Sequence, residues 1–188
     1  MKILFKFLLV IILFTSCIPM QKVPKGAKMT DFFHFQKAEK YDASNWAVFL
    51  PGTGGLRVFK DTTHYFEVAK KLNAEGISVL LVDNVAAYKA SGRDVAEEEP
   101  QEILWTLEEA LKWAKQEDYI DAKSEGSIVG WSRAGLGIIP LANDDKMLDK
   151  FNIKKIAMYY PANGYEIQLE PKVPVLVLTG GKDKIVKV

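Results

Sequence analysis

Short unbroken apolar runs alternate along this chain with longer stretches in which apolar positions recur every three or four residues. Residues 46–50 (WAVFL), 77–83 (ISVLLVD), 126–131 (GSIVGW), 154–160 (KKIAMYY) and 174–179 (PVLVLT) have the length and continuity of buried strands. Residues 32–36 (FFHFQ) fit an early edge strand. Between them, Phe66, Ala69 and Leu72 lie at helical spacing, with Asp61 or Thr62 as the cap and Gly76 as the stop. A longer helix begins near Pro100, behind Glu97, Glu98 and Glu99. Its stripe is Ile103, Leu104, Leu107, Leu111 and Ala114, and Lys112 and Lys115 stand toward its C-terminal end. Residues 84–96 read as irregular, and RAGLGIIPLA (133–142) as a helix. Continuous apolar strands separated by helices predict an α/β fold, a mostly parallel sheet with helices on both faces. There is no repeat and no sign of a second domain.

The N-terminus has a different pattern. Lys2 and Lys6 precede eight apolar residues, 7–14, far short of the ~20 that span a bilayer. Thr15 and Ser16 then lead to Cys17, the chain's single cysteine. This resembles a bacterial lipobox, although Phe14 stands where leucine is usual; an ordinary signal peptide with an incidental cysteine is the alternative. Residues 1–16 are expected to be a signal peptide and 17–30, with Pro19, Pro24 and Gly26, a lipidated cysteine and tether. Residues 31–188 would be the folded domain. That places the protein in the cell envelope, touching membrane only through its anchor. One cysteine allows no intrachain disulfide.

Composition adds little beyond exclusions. At 188 residues, with 48% hydrophobic and 26% charged side chains, the chain can bury one domain's core. A net charge of +1 with no basic cluster excludes a nucleic-acid footprint. No His/Cys/Asp set stands at metal-ligand spacing, so neither metal nor cofactor is implied.

The chemistry concentrates in two stretches. In IVGWSRAGLG a strand ends at Trp131, Ser132 follows, and Ala134 and Gly135 open a helix. This is the context of a nucleophile elbow, with Gly130 and Ala134 as the small flanking residues a sharp turn requires. A serine capping a helix after a strand has the same pattern. In FLPGTGGLR a strand runs into glycines, as a loop supplying a second backbone donor to an oxyanion would. The same letters spell a sortase signal, out of place behind a core strand, and lack the Gly-Lys-Ser/Thr ending of a phosphate loop.

From Trp46 onward the chain resembles the dienelactone hydrolase family of the α/β-hydrolase fold. The resemblance rests on VFLPGTGGL, AEGISVLLVD, ALKWAKQEDYIDAKSEGSIVGWSRAG, YYPA and PVLVLTGGKDKIV, which cover most of residues 46–186. It implies a hydrolase acting on a small-molecule carboxylic ester or related acyl bond, with Ser132 as nucleophile. The oxyanion donors would be the backbone N–H groups of Arg133 and Thr53, with Gly54 next. The family's acid follows the penultimate strand in a Gly-x-x-Asp-x-x-Val pattern, matched by Gly180, Asp183 and Val186. A turn aspartate after Gly-Gly is the alternative for Asp183. The family's histidine belongs one helix and one strand further on, so the chain is expected to lack the last strand and helix of the fold and, as given, to be inactive or impaired. His34 and His64 are expected to be ordinary, and Asp83 a structural or pocket residue. The Arg133 side chain could pair with an acidic substrate or lie along the helix surface. Namesake enzymes use cysteine, so Ser132 points to a serine esterase. A non-catalytic envelope lipoprotein using the fold as a binding or scaffold module is the second expectation.

Overall fold

The computed structural model describes residues 22–39, 45–58, 60–93, 99–121, 123–161 and 170–180. Among the described residues six strands form one sheet: β1 (Phe33–Gln36), β2 (Asn45–Leu50), β3 (Ser78–Val82), β4 (Glu125–Trp131), β5 (Ile153–Tyr159) and β6 (Val175–Leu178). Their order is β1-β3-β2-β4-β5-β6. β1 is an antiparallel edge, Phe33 opposite Val82, and every other pair is parallel. All six expected strands are therefore present, β1 at the edge.

The α-helices among the described residues are α1 (His64–Ala74), α2 (Asn84–Ala90), α3 (Glu99–Gln116), α4 (Arg133–Gly137) and α5 (Asp145–Lys150). The strands' two-residue period separates two cores. Trp46, Val48 and Leu50 of β2 face one side with Leu80, Val82 and Ile128, where the α3 residues Ile103, Leu107 and Leu111 cover them together with α2, α4 and α5. Ala47 and Phe49 face the other side with Val79, Leu81 and Trp131, under Tyr65 and Ala69 of α1. Each fully buried leucine or isoleucine here stabilises the fold by about 1.5–3 kcal/mol before the ordering cost.

Several expectations need correction. Residues 84–90 are helical rather than irregular, because the Asp83 carboxylate accepts the Ala86 N–H and caps α2. The helix after Ser132 stops at Gly137, and a 3₁₀ turn (Pro140–Asn143) follows, since Pro140 has no N–H to continue the ladder. α5 was not anticipated. For α1, Thr63 holds the N-cap position without a side-chain capping bond; its hydroxyl donates to Asp61 instead, and Asp61 accepts the N–H groups of Thr63 and His64 as well. On β6, Leu176 is 53% exposed and Val177 46%. No helix among the described residues is long and apolar enough to cross a membrane.

Candidate active site

Ser132 stands between β4 and α4 at φ 52° and ψ −120°, a conformation that side-chain-bearing residues rarely adopt. Its surroundings hold it there. Its N–H donates to the Tyr159 carbonyl at 2.9 Å, extending the β4–β5 pairing to the turn, and its carbonyl accepts the Leu136 N–H at 3.1 Å. The turn is too tight for a side chain at Gly130, where a Cβ would meet the Ala134 carbonyl oxygen at 2.9 Å and Ile138 Cδ1 at 2.8 Å. The expected strand–turn–helix around Ser132 is present, with Ser132 half-buried and reachable.

The glycine-rich loop after β2 comes to the same place. A Cβ on Gly52 would stand 3.0 Å from the Cβ of Ser132, 3.3 Å from the Trp131 carbonyl oxygen and 3.7 Å from Ser132 Oγ. The Gly55 N–H closes a turn onto the Gly52 carbonyl at 3.0 Å, leaving Thr53, exposed, at the turn's first central position. The Thr53 N–H takes no part in that bond. The Gly52 N–H donates to the Tyr65 hydroxyl oxygen. Burial drives the Tyr65 phenol far above its ordinary pKa; the neighbouring Tyr160 phenol adds to the rise and the Gly52 N–H opposes it. Tyr65 therefore stays protonated. Its ring also packs edge-on against Trp131 at 5.1 Å, and Trp131 stacks on Tyr159 at 5.2 Å. Tyr65 thus touches a residue of each segment that meets at Ser132: the Gly52 backbone and the Trp131 ring.

Asp83 anchors the loop from beneath. It is 2% exposed, and its carboxylate accepts the N–H of Ala86 at 3.1 Å and of Leu56 at 3.4 Å. Gly55, at φ +63°, has no room for a side chain: its Cβ would fall 2.5 Å from Asp83 Oδ2. The carboxylate is thus structural. Burial raises its pKa, and the two backbone bonds oppose that rise.

Arg133 needs a correction. Its side chain neither faces an acidic ligand nor lies on the helix surface. It is buried against α3, paired with Glu102 at 2.7 Å (Nη2 to Oε2). Glu102 escaped the sequence reading, though a signal exists: with Thr106, Ala110 and Ala114 it recurs every four residues on the buried side of α3.

Neither histidine joins Ser132. His34 sits on β1, three strands from β4, roughly 14 Å at ordinary strand spacing, beyond the reach of an imidazole. It lines a separate cleft of about 340 Å³ with Phe32, Leu56, Arg57, Phe66 and Asp83, and burial lowers its pKa against the pull of Asp83. His64 is exposed and packs edge-on against Tyr65 at 5.3 Å. Asp183 and Cys17 lie outside the described residues, as do residues 1–21. Among the described residues no group of His, Cys, Asp and Glu could hold a metal ion.

No protein-family model and no curated sequence matches the chain. Solved structures do. An α/β serine hydrolase homologue from Coxiella burnetii superposes with a TM-score of 0.56 at 15% identity, over 82% of this chain and 70% of that one. Est1E from Butyrivibrio proteoclasticus, solved with ferulic acid bound, gives 0.55 at 15% identity, over 82% and 76%. YahD, solved with malic acid, gives 0.54 at 18%, over 82% and 77%. The strand order, the elbow at Ser132 and these superpositions agree: the chain has the α/β-hydrolase fold.

Proposed function

We propose that this chain is a serine hydrolase of the dienelactone hydrolase-like type, exported and lipid-anchored at Cys17, that cleaves a carboxylic ester or related acyl bond. The observation that carries the reading is Ser132 itself, held at φ 52° on a strand–turn–helix and faced at contact distance by the Gly52 loop. A serine that merely capped a helix would need neither the strain nor the loop. The likeness to structures described as serine hydrolases supports the same reading.

Ser132 Oγ would attack the carbonyl carbon while an imidazole takes its proton. Negative charge gathers on the carbonyl oxygen, where the N–H groups of Arg133 and Thr53 would donate. Collapse of the tetrahedral intermediate expels the alcohol, protonated by the imidazolium, and water then releases the acid by the same steps. Asp183 would orient the imidazole, which the family resemblance puts after Asp183, on a further element. His34 is too far away to serve.

The test is labelling of the protein expressed from its complete reading frame. A fluorophosphonate probe should modify Ser132, and p-nitrophenyl esters should be hydrolysed. Ser132→Ala should lose both while keeping its circular dichroism spectrum. Labelling that persists in Ser132→Ala would sink the assignment. No labelling of the folded wild type would leave the binding-module reading in its place.

A further inference from the structure

We propose that the buried Glu102–Arg133 pair is a positioning device for the oxyanion donor. The inference rests on the serine hydrolase reading above and assigns a role to Glu102, a residue remote in sequence from the site.

The guanidinium meets the carboxylate two-pronged, Nη2 to Oε2 at 2.7 Å and Nη1 to Oε1 at 3.5 Å. The side chains are 9% and 0% exposed. Stability alone is a poor reason for such a pair, because apolar replacements of buried ion pairs are commonly neutral or stabilising. Its location supplies a better one. Arg133 opens α4, a helix of only five residues, too short to hold its own geometry. The same residue donates the proposed oxyanion N–H, directly after the strained Ser132. Strained backbone persists only where its surroundings over-determine it. The Tyr159 and Leu136 bonds fix the main chain of Ser132, and the planar fork of Arg133 fixes the next residue against α3, an 18-residue helix. Glu102 is thereby a positioning residue: it touches no substrate and acts through the orientation of the Arg133 N–H.

Two variants separate positioning from stability and from charge. Arg133→Lys keeps the ion pair but loses the fork. The double variant Glu102→Leu/Arg133→Met replaces the pair by apolar packing. All are expressed from the complete reading frame and compared for Ser132 labelling, kcat, KM and Tm. The expected result is a kcat reduced roughly ten- to a hundredfold in both, with KM nearly unchanged, since only transition-state contacts are displaced. The double variant should regain the wild-type Tm without regaining kcat. A kcat that returns with Tm in the double variant, or an Arg133→Lys enzyme equal to wild type, would overturn the positioning role. A folded wild type that fails to label at Ser132 would overturn the hydrolase reading, and the role of Glu102 with it.

Discussion

Gly52 faces Ser132 so closely that a methyl group on its α-carbon would lie 3.0 Å from the Ser132 Cβ. That is tighter than most side-chain contacts, and the Trp131 carbonyl oxygen closes the other side at 3.3 Å. Gly52→Ala must therefore push the loop away from the elbow by a few tenths of an ångström. The cost to folding should be modest, about 1 kcal/mol. The cost to chemistry should be larger, with labelling of Ser132 slowed about tenfold or more because the Thr53 N–H moves with the loop. Labelling kinetics beside a thermal melt would separate the two, and unchanged labelling would remove the loop from the site.

Ser132 carries a strain that its chemistry would exploit. Holding a side-chain-bearing residue at φ 52° costs about 1–3 kcal/mol, and glycine avoids most of it. Glycine also loses about 0.5–1 kcal/mol to the entropy of the unfolded chain. Ser132→Gly should therefore be more stable than wild type by about 1 kcal/mol while losing all labelling, whereas Ser132→Ala should show no such gain. Equal melting temperatures for the Gly and Ala variants would contradict the strain.

Asp83 holds α2 and the glycine loop together, so Asp83→Ala should destabilise the fold by about 2 kcal/mol: about one for the cap and about one for the Leu56 N–H left buried. Its titration gives a second reading. Burial raises its folded pKa above the ordinary carboxylate value, so the folded chain holds this proton more tightly than the unfolded one. The associated stabilisation is complete below about pH 4 and is lost as pH rises through the raised folded pKa. Asp83→Asn cannot titrate. The stability of wild type relative to Asp83→Asn should therefore fall with rising pH in denaturant melts, and a difference that rises with pH would reverse the assignment.

Cys17 follows Thr15 and Ser16 at the end of the apolar N-terminal run. If it carries lipid, the expressed protein should incorporate labelled palmitate and enter the detergent phase, and Cys17→Ser should do neither. Incorporation by the serine variant would refute the anchor.

The sheet was legible because its strands are continuous apolar runs, and burial on both faces leaves few other ways to place VFL or VLLV. α2 was not, because NVAAYKA is only seven residues long and carries no polar face to mark a period; its start depends on Asp83, a residue that reads equally well as part of a pocket. Ser132 could be read locally, since a strand end, small neighbours and a helix start all lie within ten residues. The Arg133 side chain could not. Its partner is 31 residues away on another helix, and only the tertiary approach of α3 to α4 chooses Glu102 over solvent. Tyr65 was hidden for the same reason: its tie to Gly52 exists only once α1 lies across the sheet.

The central pairing of the sheet has a kinetic consequence. β2 joins β4 with Asn45 opposite Glu125, residues 80 positions apart, while β3 comes between them in sequence and lies outside them in space. Closing a loop of that length precedes any reward from the contacts it makes, and such pairings slow folding. Gly52 and Ser132 lie just past the ends of these two strands. Their meeting waits for that closure, and the Ser132 bond to Tyr159 waits further for β5. A chain still emerging from the ribosome or a translocation channel therefore carries no assembled Ser132 turn until Tyr159 is free, and export in an unfolded state would leave that turn to form at the destination.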